Sequence, residues 1–454
     1  MKYHFIALIL LLSLLSEAQN IQETKLSNED KIYGLSLVWQ EVNYNFAYLN
    51  DYNINWDSVY IANIPKVITA ESLIEYYSIL SKIMNSFHEG HTTIDLPKEL
   101  KEGDYYGNIA ISCFYSNGSF YVKAFGKEYE NKIFLGSKII EINNLEPNEY
   151  FEKYVFPNFN IAEHSAKSYL SQKKLFEGLI KDSLHIKIQN PDKNTVTLNL
   201  KREPIRNKIE YEFKTPEIVT DSSFNFKQID GISYVKIGTF LNNEASSGFI
   251  QNIDKLKNST GIILDLRNNS GGNSQFATNI VQYFTDKNKF NIWYGWSKAN
   301  NSYYRAISMY NRLNTDSSLE MKAYYDRYAD YATYSHFDWG MQYEIENKSI
   351  GELKGIPVVV LVNSKTASSG ETFIIQLKQV MQITVIGEPS FGSTTTPLII
   401  PLPGGGFVWI ASQKSQNEKG ETYTYIKPDI THQPSVKDVL IGKDKILEIA
   451  LDWF

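Results

Sequence analysis

The sequence predicts a multidomain protein that combines α/β and α+β architecture, and three patterns along its 454 residues support this class. Apolar residues recur at helical spacing over residues 27–87. After His91 the period changes to two, which indicates a β-rich module. From about Gly231 onward, continuous apolar strands alternate with helical patterns, as in βαβ units. We therefore expect a helical cap, a β-rich module and a βαβ core, in that order.

The first eighteen residues have the pattern of a signal peptide. Lys2 precedes an apolar run over residues 5–15, and small residues follow at Ser16 and Ala18. The run is shorter than the ~20 residues that span a bilayer, so an uncleaved anchor is the less favoured alternative. We expect cleavage after Ala18 and an exported chain, periplasmic or secreted, with no integral membrane segment. The single cysteine, Cys113, excludes a disulfide within the chain.

An N-terminal helical domain is expected over residues 19–100. Its clearest element is a helix that begins near Ala70 and carries one apolar face. That face consists of Leu73, Tyr76, Tyr77, Leu80, Ile83, Met84 and Phe87.

The β-rich module is expected over residues 101–205, where β-branched and aromatic residues alternate with polar ones. An aromatic, amphipathic stretch over residues 149–180 interrupts it and is interpreted as helical. The predicted strands cover residues 108–114, 119–124, 138–142, 184–188 and 195–200.

The remaining residues, 206–454, are expected to form the βαβ core. Residues 293–354, rich in Tyr, Asn and Ser, are interpreted as an insertion or lid that is not part of the sheet. The predicted strands are 232–237, 261–266, 357–362 and 383–387, and the predicted helices are 245–256, 273–284 and 369–381.

Charge and composition exclude several classes of protein. Hydrophobic residues make up 43% and charged residues 21%, which is typical of a globular chain and not of a disordered one. The net charge is −6, and no basic stripe of the kind that binds phosphate backbones is present. Nucleic acid is therefore not an expected partner.

A serine lies where a predicted buried strand leads into a helix, in the segment Lys365-Thr366-Ala367-Ser368-Ser369-Gly370-Glu371. Peptide dipoles and free N–H groups at a helix N-terminus lower the cost of an alkoxide or oxyanion. The simpler interpretation is a capping box, in which Ser368 and Glu371 satisfy backbone donors.

A second strand end carries Asp265-Leu266-Arg267-Asn268-Asn269-Ser270-Gly271-Gly272. Two adjacent glycines let bare N–H groups approach a ligand, so this loop could supply half of an oxyanion hole. The alternative is a tight turn in which Asp265 and Arg267 form a structural ion pair.

Two histidines follow the cap helix, in His88-Glu89-Gly90-His91-Thr92. No HExxH pattern or cysteine accompanies them, so we expect no metal site and interpret a histidine as a general base.

Together these motifs resemble the C-terminal processing (tail-specific) serine peptidases, on the side of the tricorn-core branch. Residues 265–272 match the family's DLRxNxGG, residues 367–371 resemble its nucleophile segment, and Gly387-Glu388-Pro389-Ser390-Phe391-Gly392 matches GExxxG. The resemblance implies a crotonase/ClpP-like core, a PDZ-like module at 101–205, and Ser368 as nucleophile. It also implies that Ser369, with Gly271 or Gly272, supplies the oxyanion hole.

The sequence departs from the family in two places. Ser393 stands where the bacterial branch carries a lysine base, and no lysine follows before Lys414, which favours a histidine base from the N-terminal segment instead. His91 is that histidine. In the tricorn-like branch a glutamate orients the base, but Thr422 stands at the matching position and Glu421 is displaced by one, so Glu421 would need a bulge to face inward. A hydroxyl of Ser393 or Thr422 is the alternative.

The expected function is that of a serine endopeptidase acting on exported polypeptides without a cofactor. The PDZ-like module would bind an extended substrate by strand addition. A non-catalytic peptide or ligand binder on the same scaffold is the alternative. A crotonase-like acyl-CoA enzyme ranks last, because no basic cluster for a nucleotide phosphate is visible.

Overall fold

The computed structural model describes residues 26–205, 207, 209–219, 221–300 and 336–454. The predicted signal peptide lies outside the described residues. Within them, no helix is both long enough and apolar enough to cross a membrane.

Four helices and one short strand form the N-terminal part. Helix α3 confirms the predicted amphipathic face: its residues Leu73, Tyr76, Tyr77, Leu80, Ile83 and Met84 are all buried, and Ser72 caps its first turn. This part packs on a distant segment, because β1 pairs antiparallel with Phe407–Ala411. The elements are α1 (Asn28–Asn45), α2 (Trp56–Thr69), α3 (Leu73–Asn85), β1 (Thr93–Asp95) and α4 (Lys98–Glu102).

The β-rich module contains a six-stranded sheet in the order β10-β4-β5-β7-β8, with β3 paired to β4. The elements are β2 (Tyr106–Asn108), β3 (Ile111–Ser116), β4 (Ser119–Phe125), β5 (Lys138–Ile142), α5 (Pro147–Tyr150), α6 (Glu163–Leu170), β6 (Gly178–Leu179), β7 (Leu184–Gln189), β8 (Thr195–Leu200), β9 (Glu203–Pro204) and β10 (Phe213–Lys214).

The prediction that residues 149–180 are helical is confirmed for residues 149–158 and 163–170 and is wrong for the remainder, which includes β6. Helix α5 continues as a π-helical turn, Phe151–Val155, and a 3₁₀ turn, Phe156–Asn158, before the chain becomes extended and α6 begins. Pro157 explains the break, because it lacks the N–H that would continue the helix.

The core is a six-stranded sheet in the order β11-β12-β13-β16-β17-β22, and all its strands are parallel except β11 at the edge. Its last three strands are β16 (Val358–Val362), β17 (Thr384–Gly387) and β22 (Ile430–Thr431). The βαβ prediction is confirmed, and strands β12, β13 and β16 are buried throughout. The first elements are β11 (Phe224–Ile229), β12 (Ile232–Ile237), α7 (Glu244–Gln251), α8 (Ile253–Lys257), β13 (Gly261–Asp265) and α9 (Ser274–Val281).

The prediction that residues 293–354 are an insertion outside the core sheet is confirmed for residues 293–300 and 336–354; residues 301–335 lie outside the described residues. In this region, β14 (Lys289–Asn300) and β15 (His336–Glu346) form an antiparallel ribbon, which local patterns did not predict. This ribbon joins a four-stranded sheet through β20, and the indole N–H of Trp293 donates to Ser415 Oγ at 3.0 Å. Pairing between segments more than a hundred residues apart is not visible in local patterns.

The remaining elements complete the core and carry two of the loops that form the site. They are β16 (Val358–Val362), α10 (Ser369–Val380), β17 (Thr384–Gly387), β18 (Pro397–Pro401), β19 (Phe407–Ala411), β20 (Gln413–Gln416), β21 (Thr422–Tyr423), β22 (Ile430–Thr431), α11 (Val436–Ile441) and α12 (Lys445–Asp452).

Candidate active site

Three loops meet at the carboxyl edge of the parallel sheet, where ligands bind in open α/β folds. They follow β13, β16 and β17, and the segment around His91 packs against them. Together they enclose a cavity of about 490 Å³. Its lining includes Gly90, His91, Ser270, Lys365, Ser368 and Ser393. The structure thus brings Ser368, His91 and Ser393 to one cavity.

Ser368 lies at the N-terminus of α10 with a backbone φ of 52° and ψ of −120°. This region is unfavourable for a residue with a Cβ and typically costs about 1–3 kcal/mol, so it persists only where the surroundings fix it. Here they do, because the Ser368 N–H lies 3.0 Å from Glu371 Oε2 and 2.9 Å from Ser393 Oγ. The serine is therefore held in a sharp strand-to-helix turn at the wall of the cavity.

Glu371 is fully buried and organises this turn. Besides the Ser368 N–H, its carboxyl accepts hydrogen bonds from Gly392 N at 2.9 Å, Ser393 N at 2.8 Å and Ser390 Oγ at 2.5 Å. Burial raises its pKa, while these donors oppose the shift. The predicted capping box is thus present, with the Glu371 carboxyl accepting the Ser368 N–H and the Ser368 side chain facing the Glu371 N–H, and Ser368 lines the cavity as well.

The glycine loop after β13 packs directly on the serine. The Ala367 N–H donates to the Asn269 carbonyl at 2.9 Å, and a Cβ on Gly271 would lie 2.7 Å from Ser368 Cβ. Gly271 has a φ of 102°, so only glycine fits there. Its N–H donates to Asn269 Oδ1 at 2.9 Å, whereas Gly272 accepts the Ser369 hydroxyl at its carbonyl at 2.6 Å. The side chain of Ser369 is therefore engaged with this loop.

Asp265 and Arg267 form the structural ion pair that the sequence analysis gave as one of two interpretations of this segment. The guanidinium lies 2.6 Å from Asp265 Oδ2 and 2.7 Å from Asp444 Oδ1, and it is almost fully buried. Burial opposes ionisation of Asp265, but Arg267 holds the pKa of its carboxyl below the usual range. This network ties the glycine loop to α12.

His91 reaches the cavity from the segment between α3 and β1. Burial lowers the pKa of its imidazole to about 4, and a hydrogen bond with the Thr395 backbone opposes that shift. Among the described residues no hydrogen-bond partner reaches the buried His91 Nδ1. The imidazole is therefore neutral, and free to accept a proton, over most of the pH range.

Gly90 sets the position of His91. Its N–H donates to the Gly392 carbonyl at 2.8 Å, and an added Cβ would lie 2.7 Å from Ser393 Cβ. The histidine segment therefore touches the same turn that holds Ser368.

We expect Gly90→Ala to reduce kcat/KM by about tenfold to a hundredfold, because the methyl group must displace Ser393 and thus the turn that holds Ser368. Steady-state kinetics on one peptide measures the effect. Gly340→Ala is the control, since a Cβ there meets nothing within 4 Å. Equal activity in both variants would show that this close approach does not position His91.

Glu89 is the carboxyl group closest in sequence to His91, and it is buried. It accepts hydrogen bonds from the His91 N–H at 3.0 Å and from Thr92 Oγ1 at 2.6 Å. Burial raises its pKa to about 7. Glu89 therefore fixes the backbone of this segment; the bonds to its carboxyl come from backbone and hydroxyl, not from the imidazole.

Glu421 is placed away from the site. It lies in the exposed turn between β20 and β21, where its carboxyl accepts a hydrogen bond from Asn417 Nδ2 at 2.6 Å. Thr422 is likewise exposed, with its hydroxyl 3.4 Å from Gln416 Nε2. No bulge turns Glu421 inward, so the expectation that it orients His91 finds no support. Ser393 contacts the Ser368 backbone and Glu371 instead of the imidazole.

We expect Glu421→Gln and Thr422→Val to change kcat/KM by less than about twofold, because surface substitutions of this kind rarely exceed ~0.5 kcal/mol. Paired kinetics on one peptide substrate tests this. A loss of a hundredfold or more in Glu421→Gln alone would mean that the turn folds onto the site during the reaction.

Several residues of the cavity were not predicted from the sequence, and Lys365 is the ionisable one nearest to Ser368 along the chain. Lys365 lines the cavity, three residues before Ser368. Burial lowers the pKa of its amine, with Lys123 and Lys173 adding to the shift. Its place inside the nucleophile segment was the available signal. Lys414, the lysine singled out from the sequence, is paired with Asp51 at 2.6 Å.

Within the described ranges, no group of three or more His, Cys, Asp or Glu side chains comes together in a way that could hold a metal ion.

Comparisons with known proteins agree with this geometry. Residues 231–432 match the model of peptidase family S41. The carboxy-terminal processing protease CtpB of Bacillus subtilis (strain 168) is 22% identical over 234 residues, which are 50% of this chain and 40% of CtpB. The chain thus spans less than half the length of this curated relative.

Two solved structures share the fold. Mature CPAF superposes with a TM-score of 0.67 at 12% identity, over 94% of this chain and 96% of that one. A putative peptidase from Parabacteroides merdae ATCC 43184 gives 0.52 at 16% identity, over 94% and 97%. The family match covers the strands and loops that carry Ser368 and the glycine loop. Residues 231–432, less than half of the chain, are therefore similar to peptidase family S41.

Proposed function

We propose that the protein is a serine endopeptidase that hydrolyses peptide bonds of exported polypeptides, with Ser368 as nucleophile and His91 as general base. One observation carries the proposal. A serine held at φ 52° on a helix N-terminus lines the same cavity as a histidine whose pKa is lowered to about 4. A neutral imidazole and an exposed hydroxyl are the two groups that nucleophilic acyl transfer requires.

In this mechanism the imidazole of His91 takes the Ser368 proton as Oγ attacks the peptide carbonyl. The carbonyl oxygen becomes an oxyanion, which the N–H groups of Ser369 and Gly272 stabilise. Gly272 is preferred over Gly271 because the Gly271 N–H already donates to Asn269. The protonated His91 then gives its proton to the leaving amine, and water hydrolyses the acyl-enzyme.

The β-rich module supports a role in substrate binding. It corresponds to the segment interpreted as PDZ-like, and such modules bind an extended peptide along a sheet edge. Export follows from the signal-peptide pattern of residues 1–18.

A peptide-binding protein without catalysis is the second candidate, favoured by one observation. Among the described residues, no carboxyl group bonds the imidazole of His91: Glu421 is exposed and bonded to Asn417, and Glu89 accepts from the backbone N–H of His91. Serine proteases lose about 10⁴-fold in kcat when that third group is removed.

The deciding experiment incubates the full chain with a reduced, alkylated protein and maps new termini by mass spectrometry. We expect internal cleavage by the wild type and by Ser270→Ala, a serine of the same cavity with no assigned role, and none by Ser368→Ala. Equal cleavage by wild type and Ser368→Ala would refute the proposal. Peptide binding without cleavage by any variant would favour the second candidate.

A further inference from the structure

The cavity that contains Ser368 continues into a second cavity of about 470 Å³ beneath the β-rich module. Four residues line both: Gln172, Lys173, Asn268 and Lys365. The two cavities therefore form one continuous groove that leads from the nucleophile to the sheet of β3 and β4.

Seven of the described lysines line this groove, and three of them lie close enough to repel one another. Lys123 comes from β4, Lys173 follows α6, and Lys365 lies in the loop that leads to Ser368. Within the described part of the chain, none of the three amines has a carboxyl group within 4.0 Å. Their neighbour Lys174, by contrast, pairs with Glu177 at 2.6 Å.

Four carboxyl groups line the groove: Glu217 attracts Lys123, and the other three are already bonded to other side chains, Asp444 to Arg267. Glu388 accepts a hydrogen bond from Ser168 Oγ at 2.7 Å, and Asp221 accepts one from Asn268 Nδ2 at 3.0 Å. Burial is the main cause that lowers the pKa of Lys365; repulsion by Lys123 and Lys173 adds to the shift, and attraction by Asp221 and Glu388 opposes it. Like charges gathered in a partly buried groove, with no described carboxyl group within 4.0 Å of the three amines, are costly, and a bound anion would relieve that cost.

We propose that Lys365, Lys173 and Lys123 bind a carboxylate of the substrate polypeptide, so that cleavage is favoured near an anionic group. The inference rests on the proposed function, because it assigns a specificity site to the same groove. Lys365 precedes Ser368 by three residues, which limits their Cα separation to about 11 Å. The carboxylate therefore lies within a few residues of the bond that is cleaved. An acidic side chain and a free C-terminus share this chemistry.

The test compares peptides that differ only by Glu or Gln at one position, and by a free or amidated C-terminus. Binding to Ser368→Ala is measured by fluorescence anisotropy, so that a failure of hydrolysis is not mistaken for a failure of this site. A charge-assisted hydrogen bond predicts about tenfold to a hundredfold tighter binding of the anionic peptide. The preference should weaken as salt is raised.

In the Ser368→Ala background, Lys365→Met should bring the affinity ratio close to one, and Lys365→Glu should reverse it. Lys174→Met is the matched control, since Lys174 lines the same cavity but is paired with Glu177. A preference for Glu over Gln supports an acidic side chain as the ligand, and a preference for the free over the amidated peptide supports a C-terminus. Equal binding of all four peptides would overturn the proposal, and so would a preference that survives Lys365→Met.

Lys365 could instead act as a proton acceptor for Ser368, and hydrolysis separates the two roles. A binding residue predicts that Lys365→Met raises KM for the anionic peptide until it matches KM for the neutral one, whereas a proton acceptor predicts that kcat falls equally for both peptides. Loss of cleavage for neutral and anionic peptides alike, with the affinity ratio unchanged, would overturn the binding role.

Discussion

Ser368→Ala is expected to lower kcat by about 10⁴-fold to 10⁶-fold, because no acyl-enzyme can form without the hydroxyl. Stability should change far less. The turn at Ser368 is held by its backbone N–H, which Glu371 and Ser393 accept at 3.0 and 2.9 Å and which alanine retains. Kinetics and urea unfolding on the same preparation measure both effects, and loss of a helix cap would cost at most about 2 kcal/mol.

Glu371→Gln is a useful comparison for this variant. It keeps Ser368 but weakens the buried carboxyl that gathers five hydrogen bonds around the turn. It should lower stability and activity together, whereas Ser368→Ala should lower activity alone. Parallel losses in both variants would mean that Ser368 acts mainly as a cap.

His91→Ala is expected to reduce kcat/KM by at least about 10³-fold, and the wild-type pH profile should identify the reason. A histidine with an ordinary pKa would place the acid limb near ~6.5. Burial lowers the pKa of His91 to about 4, so the acid limb should fall near pH 4 instead. An acid limb near pH 6.5 would show that the imidazole is solvated in the working enzyme.

The lowered pKa of His91 also predicts how the free energy of unfolding depends on pH. The pKa of His91 is about 4 in the folded chain and 6.5 in the unfolded chain, so between these pH values only the unfolded chain is protonated at His91. The contribution of His91 to stability should therefore fall as pH drops through this window, and His91→Ala should lack that fall. Glu89 acts in the opposite sense, because burial raises its pKa to about 7 and folding becomes costlier as pH rises toward that value. Comparing unfolding of His91→Ala and Glu89→Gln across pH separates the two.

Much of the fold could be predicted from local patterns. The parallel strands are buried on both faces and therefore appear as continuous apolar runs, as in Val358–Val362. The approach of Ser368 to Gly271 could also be predicted, because loops after parallel strands meet at one edge of the sheet. Local sequence patterns were enough to predict the position of a residue wherever the parallel sheet alone determines that position.

The failures have a different physical origin. Whether Glu421 faces His91 depends on the turn between β20 and β21. In that turn, the side chain of Asn417 donates a hydrogen bond to the Glu421 carboxyl. The pairing of β14 with β20 and of β1 with β19 joins segments more than a hundred residues apart. The shift of the His91 pKa depends on burial, which the backbone of Thr395 opposes, and no spacing in the sequence reveals either.

The most direct test of the central claim is to treat the folded chain with a fluorophosphonate and map the modified residue by peptide mass spectrometry. The account predicts one adduct, on Ser368, formed much more slowly in His91→Ala and unchanged in Ser270→Ala. An adduct on another serine, or none on a chain that still cleaves its substrate, would contradict it.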